Sequence, residues 1–70
     1  MQIYQVRLFP NGPGNDELQP YRKVAAETAK GAAERLYGEA LYETGSLHQF
    51  RALVHRLSGP RGTPSTFYAR

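Results

Sequence analysis

The chain has 70 residues, enough for one small domain (1–70) and too few for a separate catalytic domain. Apolar residues make up 40% of it, a share typical of a folded chain, and the formal net charge is +3. The absence of cysteine excludes disulfides, thiolate metal sites and thiol nucleophiles, and no apolar run approaches the ~20 residues that span a bilayer. We therefore expect a soluble cytoplasmic protein that is not attached to a membrane.

Two strands are predicted in the N-terminal third of the chain. Within Gln2–Phe9, apolar residues at positions 4, 6 and 8 alternate with Gln and Arg, which is the period of a strand with one buried face. Pro, Gly and Asn are frequent in Pro10–Pro20 and predict a long loop. The second strand is predicted for Tyr21–Ala26, a short segment that follows this loop.

A helix is predicted for Thr28–Tyr37. Counted from Ala29, apolar residues at i, i+3, i+4, i+7 and i+8 lie on one side of the helix, opposite charged residues. Thr28 is a suitable N-cap, and Gly38 is a suitable left-handed C-cap. Because most of these apolar residues are alanines, we expect the helix to lie close against a sheet.

The segment after the helix permits two interpretations, and the first makes it β-structure. In this interpretation Glu39–Glu43 and Gln49–Leu57 are strands, and Phe50 faces the same side of the sheet as Val54. A short final strand over Thr66–Ala69 follows a loop rich in Gly and Pro. The order of elements is then ββαβββ.

The second interpretation makes Ser46–Leu57 a helix and gives the order ββααβ. Ser46 and Gln49 have the spacing of a capping box, and apolar residues follow Leu47 at i+3, i+7 and i+10. We favour the strand interpretation, because a two-stranded sheet rarely stands alone and the final strand needs a partner. The predicted fold class is therefore α+β, an antiparallel sheet with one packed helix.

No catalytic or metal site is predicted. The two imidazoles of the chain, His48 and His55, would point to opposite faces of a strand or stand ~10 Å apart along a helix. That separation does not suit one zinc ion, whose ligand atoms lie ~2 Å from the metal. The serines occupy cap or loop positions without a Gly-x-Ser-x-Gly elbow, and Glu39 and Glu43 have the character of solvated surface charges. We expect no enzyme activity, no cofactor and no metal.

The C-terminal part of the chain is the predicted binding region. All six acidic residues precede Thr44, whereas residues 44–70 contain four arginines and no acid. Guanidinium groups combined with aromatic rings suit single-stranded nucleic acid, because rings stack on bases and arginines bind phosphates. The candidate binding surface consists of Arg51, His55, Arg56, Arg61, Tyr68 and Arg70.

Two functional hypotheses follow. The first is a non-catalytic protein–protein interaction module, in which an exposed edge of the first strand or of Thr66–Ala69 pairs with another chain or with a second copy in a homodimer. The alternative is single-stranded nucleic-acid binding, RNA in particular, through the arginine and aromatic side chains. Four arginines over this region predict a modest affinity that depends strongly on salt.

Overall fold

The computed structural model describes residues 1–10, 12, 14, 19–57 and 63–70. The strands and the α-helix within them are β1 (Gln2–Leu8), β2 (Arg22–Ala26), α1 (Ala29–Tyr37), β3 (Phe50–Arg56) and β4 (Ser65–Tyr68). The strands form one antiparallel sheet in the order β2-β1-β3-β4, and α1 packs on one of its faces. The predicted α+β class is confirmed. No helix of the described segments is long and apolar enough to cross a membrane.

The core lies between α1 and the sheet. Alternate residues of each strand point toward the helix, and Ala32 and Ala33 on the helix are completely buried. The other buried side chains of the core are Tyr4, Val6, Val24, Ala26, Leu41, Ala52, Val54 and Phe67. Two adjacent alanines bring the helix backbone close to the sheet, so the strands supply most of the core volume.

The limits of α1 follow the predicted capping signals. Thr28 has an extended backbone, and its Oγ1 accepts a 2.9 Å hydrogen bond from the N–H of Gly31. At the other end Gly38 has a φ of 90°, and its N–H donates to the carbonyl of Glu34 at 2.8 Å. This left-handed conformation favours glycine, because a Cβ is strained there. The predicted helix is confirmed.

The strand predicted for Glu39–Glu43 is present only as a single bridge. Tyr42 exchanges two backbone hydrogen bonds of 2.8 Å with Tyr68 of β4. The N–H of the preceding Leu41 donates instead to the Glu34 carboxylate at 2.8 Å, and its side chain is completely buried. Because a helix side chain accepts this N–H and Leu41 enters the core, the segment does not continue as a strand. The order ββαβββ is therefore corrected to ββαββ.

The alternative helix over Ser46–Leu57 is wrong, although its capping signal is real. The backbone N–H of Ser46 donates to Oε1 of Gln49 at 2.9 Å, and this contact begins a single turn of 3-10 helix, Leu47–Gln49. The chain then enters β3, which pairs with β1 on one side and with β4 on the other. Backbone hydrogen bonds to two neighbours outweigh the helical spacing of the apolar residues. Leu47, the first residue of that spacing, is 76% exposed.

Of the two strands that were predicted to lie at an edge, β4 does and β1 does not. β1 is an inner strand, so the expectation that its edge pairs with another chain is wrong. β4 is an edge strand, but Tyr42 already pairs with its Tyr68. On the other edge, β2 has exposed Arg22 and Lys23, and an Arg35 nitrogen donates to a β2 backbone carbonyl at 3.0 Å. Charged side chains on an edge strand discourage pairing with a further strand.

Candidate binding face

The sheet has a second face, which points away from α1 and which we call the open face. In the strand registers Leu53 lies opposite both Arg7 and Thr66, and His55 lies opposite Gln5. None of these residues belongs to the core that α1 covers. The aromatic, charged and other principal residues of the open face are Ile3, Arg7, Phe9, Tyr21, Lys23, Phe50, Leu53, His55, Leu57, Thr66 and Tyr68.

The charge on the strands has one sign. None of the four strands contains Asp or Glu, whereas β1, β2 and β3 all contain Lys or Arg. The acidic residues that the structure describes lie in α1 and in the connections, at Glu27, Glu34, Glu39 and Glu43. An anion that approaches the open face therefore meets no carboxylate on the sheet, and it meets the cations of Arg7 and Lys23.

Arg7, Tyr21 and His55 form a contact group across three strands. The guanidinium carbon of Arg7 lies 4.0 Å from the centre of the Tyr21 ring, a cation–π arrangement. The Tyr21 hydroxyl and Nε2 of His55 are 3.2 Å apart, and the two rings meet edge to face with centroids 5.4 Å apart. The tyrosine ring is therefore held between a cation on β1 and an imidazole on β3.

Three aromatic rings form a second group at the other end of the open face. The Phe9 and Phe50 ring centroids are 4.9 Å apart with 34° between the planes, and those of Phe50 and Tyr68 are 5.8 Å apart. The Tyr68 hydroxyl lies 3.4 Å from the Thr66 hydroxyl on the same face of β4. All four residues are half-buried, so the rings pack on one another and still present part of their surface.

A β-bulge places Phe50 in this group of three rings, Phe9, Phe50 and Tyr68, which we call the aromatic row. β3 shifts register against β4 between Phe50 and Ala52, which leaves Arg51 as the extra residue. Phe50 consequently faces the side opposite Ala52, so the prediction that it shares a face with Val54 is wrong. A guanidinium nitrogen of Arg51 donates to the carbonyls of His48 and Phe50, both at 2.9 Å, which stabilises the turn that leads into the strand.

Gly45 supports the aromatic row from the edge of the sheet. A Cβ on this glycine would lie 2.7 Å from Cβ and 2.9 Å from Cγ of Tyr68. Such contacts are shorter than real Cβ atoms show, so only glycine lets the connection pass this close to β4. The position of the Tyr68 ring therefore depends on the segment between α1 and β3.

The structure divides the predicted site residues. His55 and Tyr68 lie on the open face, and Arg51 lies at its margin. Arg56 is exposed but stands opposite the core residue Tyr4, on the side of α1.

Of the two remaining predicted residues, Arg70 lies away from the open face and Arg61 falls outside the described residues. The guanidinium carbon of Arg70 is 4.2 Å from the centre of the Tyr42 ring, beyond the end of β4. The acid-free C-terminal region therefore supplies part of the open face rather than one continuous surface.

The N-terminal strands contribute residues to the open face that were not among the predicted site residues. Arg7 is an odd position of β1 and Lys23 an odd position of β2, while Phe9 directly follows β1 and Tyr21 directly precedes β2. The alternation that predicted β1 contains the signal, because it assigns these positions to the face opposite the core. The register between the two strands, which brings Tyr21 beside Arg7, depends on a connection of more than ten residues and cannot be obtained from local pattern.

A hollow of about 360 Å³ lies beside the start of α1. Its lining consists of Met1, Ala26, Glu27, Thr28, Gly31 and Arg35. Two of its polar side chains already have partners, since Thr28 caps the helix and Arg35 binds a backbone carbonyl. In the part of the chain that the structure describes, no group of three or more His, Cys, Asp or Glu residues is placed to hold a metal ion.

No protein-family model, curated protein or solved structure matches this chain. The arrangement of side chains on the open face is therefore the basis for assigning a function.

Proposed function

We propose that the protein is a non-catalytic module that binds single-stranded nucleic acid, RNA in particular, on the open face. The observation that supports this is the combination of half-buried aromatic rings and cations on a sheet whose strands contain no carboxylate. Bases of any sequence stack on aromatic side chains, and phosphates bind guanidinium and ammonium groups. Strands that offer both and contain no acidic residue do not repel the phosphates of a bound nucleic acid.

The dimensions of the open face suit a short stretch of nucleic acid. Three spacings of ~4.8 Å separate β2 from β4, so the face is about 14 Å wide. Along a strand, residues of one face recur every ~6.6 Å, as Arg7 and Phe9 do. Known four-stranded RNA-binding sheets stack about two or three bases, and the open face has room for a similar number.

The charge of the open face predicts weak, salt-dependent binding. Among the described residues, Arg7 and Lys23 are its two cations, and the Arg51 guanidinium is already bonded to backbone carbonyls. Two neutralised phosphates correspond to a slope of about −1.4 in a plot of log affinity against log salt for a single strand. A fourfold rise in salt should therefore weaken binding about sevenfold.

The experiment is a fluorescence anisotropy titration of a short labelled oligouridylate at about 50 mM and about 200 mM salt. We expect saturable binding at the lower concentration and the sevenfold loss at the higher one. An absence of binding at low salt, or an affinity that salt does not change, would contradict the proposal. Oligodeoxythymidylate in the same assay shows whether the 2′-hydroxyl contributes.

Matched variants test whether the open face is the surface used. Lys23 and Arg56 are both exposed strand cations, but they lie on opposite faces of the sheet. We expect Lys23→Gln to weaken binding severalfold and to reduce the salt slope by about 0.7, whereas Arg56→Gln should change neither by much. Equal losses in the two variants would place the bound strand elsewhere.

A protein partner on the same face is the second proposal. Ile3 is 41% exposed, and the N–H of Leu57 donates to its carbonyl at 3.0 Å, which brings two apolar residues together at one end of the sheet. Such an end suits an apolar protein surface, including that of a second copy. Sedimentation that shows a monomer at all concentrations would remove self-association. In both proposals we place the protein in the cytoplasm.

A further inference from the structure

We propose that Arg7, supported by Tyr21 and His55, forms the binding site for one backbone phosphate of the nucleic acid. This inference rests on the proposed function and specifies where a phosphodiester lies on the open face. The observation behind it is a half-buried arginine whose guanidinium carbon lies over a fixed ring and which has no carboxylate partner among the described residues.

The charge of Arg7 is not neutralised by the sheet. No strand contains an acidic residue, and β1 is an inner strand, so its neighbours on both sides also lack carboxylates. In addition, the Nε atom of Arg7 is buried and has no hydrogen-bond partner among the described residues. A buried donor without an acceptor is unfavourable, and its lack of a partner shows that no described side chain competes with an anion for this edge of the guanidinium group.

The contact with Tyr21 uses none of the N–H donors of Arg7. The guanidinium carbon lies over the centre of the Tyr21 ring, whereas the five N–H donors lie along the edges of the planar guanidinium group. A phosphate accepts two parallel hydrogen bonds from such an edge, which a lysine ammonium cannot supply in the same geometry. Because the Tyr21 hydroxyl is bonded to Nε2 of His55, the ring beneath the guanidinium is held in place.

The position of this site agrees with that of the aromatic row. Phe9 directly follows β1 and lies two residues after Arg7, which corresponds to ~6.6 Å of extended chain. A phosphate on Arg7 would therefore lie beside a base that stacks on Phe9 or Phe50. Arg51 differs from Arg7, because its guanidinium already donates to two backbone carbonyls. It is the matched control for Arg7.

The first test titrates the wild-type protein with inorganic phosphate and follows side-chain Nε–H and backbone amide signals by nuclear magnetic resonance. We expect the Arg7 Nε–H signal to shift together with signals of Tyr21 and His55, while the Arg51 Nε–H signal changes little. No change at Arg7, or equal changes at the two arginines, would overturn the site. The measurement uses the unmodified chain, so it does not depend on a variant that folds.

The second test compares Arg7→Lys with Arg56→Lys, which alters a strand arginine on the other face of the sheet, in the oligouridylate assay, after thermal melting has shown that both variants fold. We expect Arg7→Lys to weaken binding about tenfold, since it keeps the charge and removes the bidentate edge, and Arg56→Lys to weaken it little. Equal affinities of the two variants would overturn the phosphate site and leave the proposed function intact. A wild-type protein that binds no oligonucleotide would overturn both.

Discussion

The two faces of the sheet are built from alternate residues of the same strands, yet they differ in almost every property. The face under α1 consists mainly of buried apolar side chains, which include the rings of Tyr4 and Phe67 and pack with Ala32 and Ala33 of the helix. The open face carries rings that remain half-buried, together with the half-buried Arg7 and the exposed Lys23. Residues on the first face are buried in the core, whereas those on the open face keep part of their surface accessible.

The difference follows from how small domains are stabilised. A chain of this length buries only about 60% of the surface of its unfolded form, so one well-packed layer must provide most of the stability. Rings on the second face pack mainly on each other, and the aromatic row adds stability without a covering layer. The rings of the aromatic row lie outside the core cluster, and this supports the proposal that the open face binds nucleic acid.

The largest expected effect comes from truncating one leucine of the core and one of the open face. Leu41, in the connection after α1, is completely buried in the core, whereas Leu53 is half-buried on the open face. We expect Leu41→Ala to lower the free energy of unfolding by about 2–5 kcal/mol and Leu53→Ala by about half as much. Urea denaturation of both variants measures the difference. Equal losses would show that the open face is a covered core, which would break the comparison.

A smaller effect is expected at Gly45, where the connection between α1 and β3 passes close to Tyr68 on the open face. A Cβ at this position would lie 2.7 Å from Cβ of Tyr68, so either the connection or the ring must move. We expect Gly45→Ala to lower the free energy of unfolding by about 1–3 kcal/mol, as overpacking does, and to weaken oligouridylate binding as well. Urea denaturation and anisotropy measure the two effects.

The control for this variant is Thr28→Ala, which removes the helix cap on the other face. It should lower the free energy of unfolding by about 1 kcal/mol, because the N–H of Gly31 loses its acceptor. Its affinity for the oligonucleotide should be that of the unmodified protein. If Gly45→Ala destabilises the fold but binds as well as Thr28→Ala, the position of Tyr68 does not matter for binding.

Local signals in the sequence were enough to predict part of this fold. The helix is bounded by Thr28 and Gly38, whose preferences are properties of single residues, and the alternation in β1 is visible over seven positions. The capping box at Ser46 is also a local signal, but it begins a single 3-10 turn as readily as a long helix. Only the pairing of β3 with two neighbours decides between them, and that pairing is not local.

The candidate site was less predictable, for a physical reason. The bulge at Arg51 moves Phe50 to the open face, and one extra residue leaves no mark on composition or charge. The contact between Arg7 and Tyr21 depends on the register of β1 and β2. The acid-free C-terminal region pointed to His55 and Tyr68, but the rest of the open face comes from strands at the other end of the chain.

The most direct test of the account is a map of the nucleic-acid footprint on the folded protein. Backbone amide and side-chain signals are recorded by nuclear magnetic resonance as oligouridylate is added at low salt. We expect the largest shifts at Arg7, Phe9, Phe50 and Tyr68, with little change at Ala32 and Ala33 on the helix. Shifts that cluster on α1, or that are absent from the open face at saturation, would contradict the claim that the open face is the binding surface.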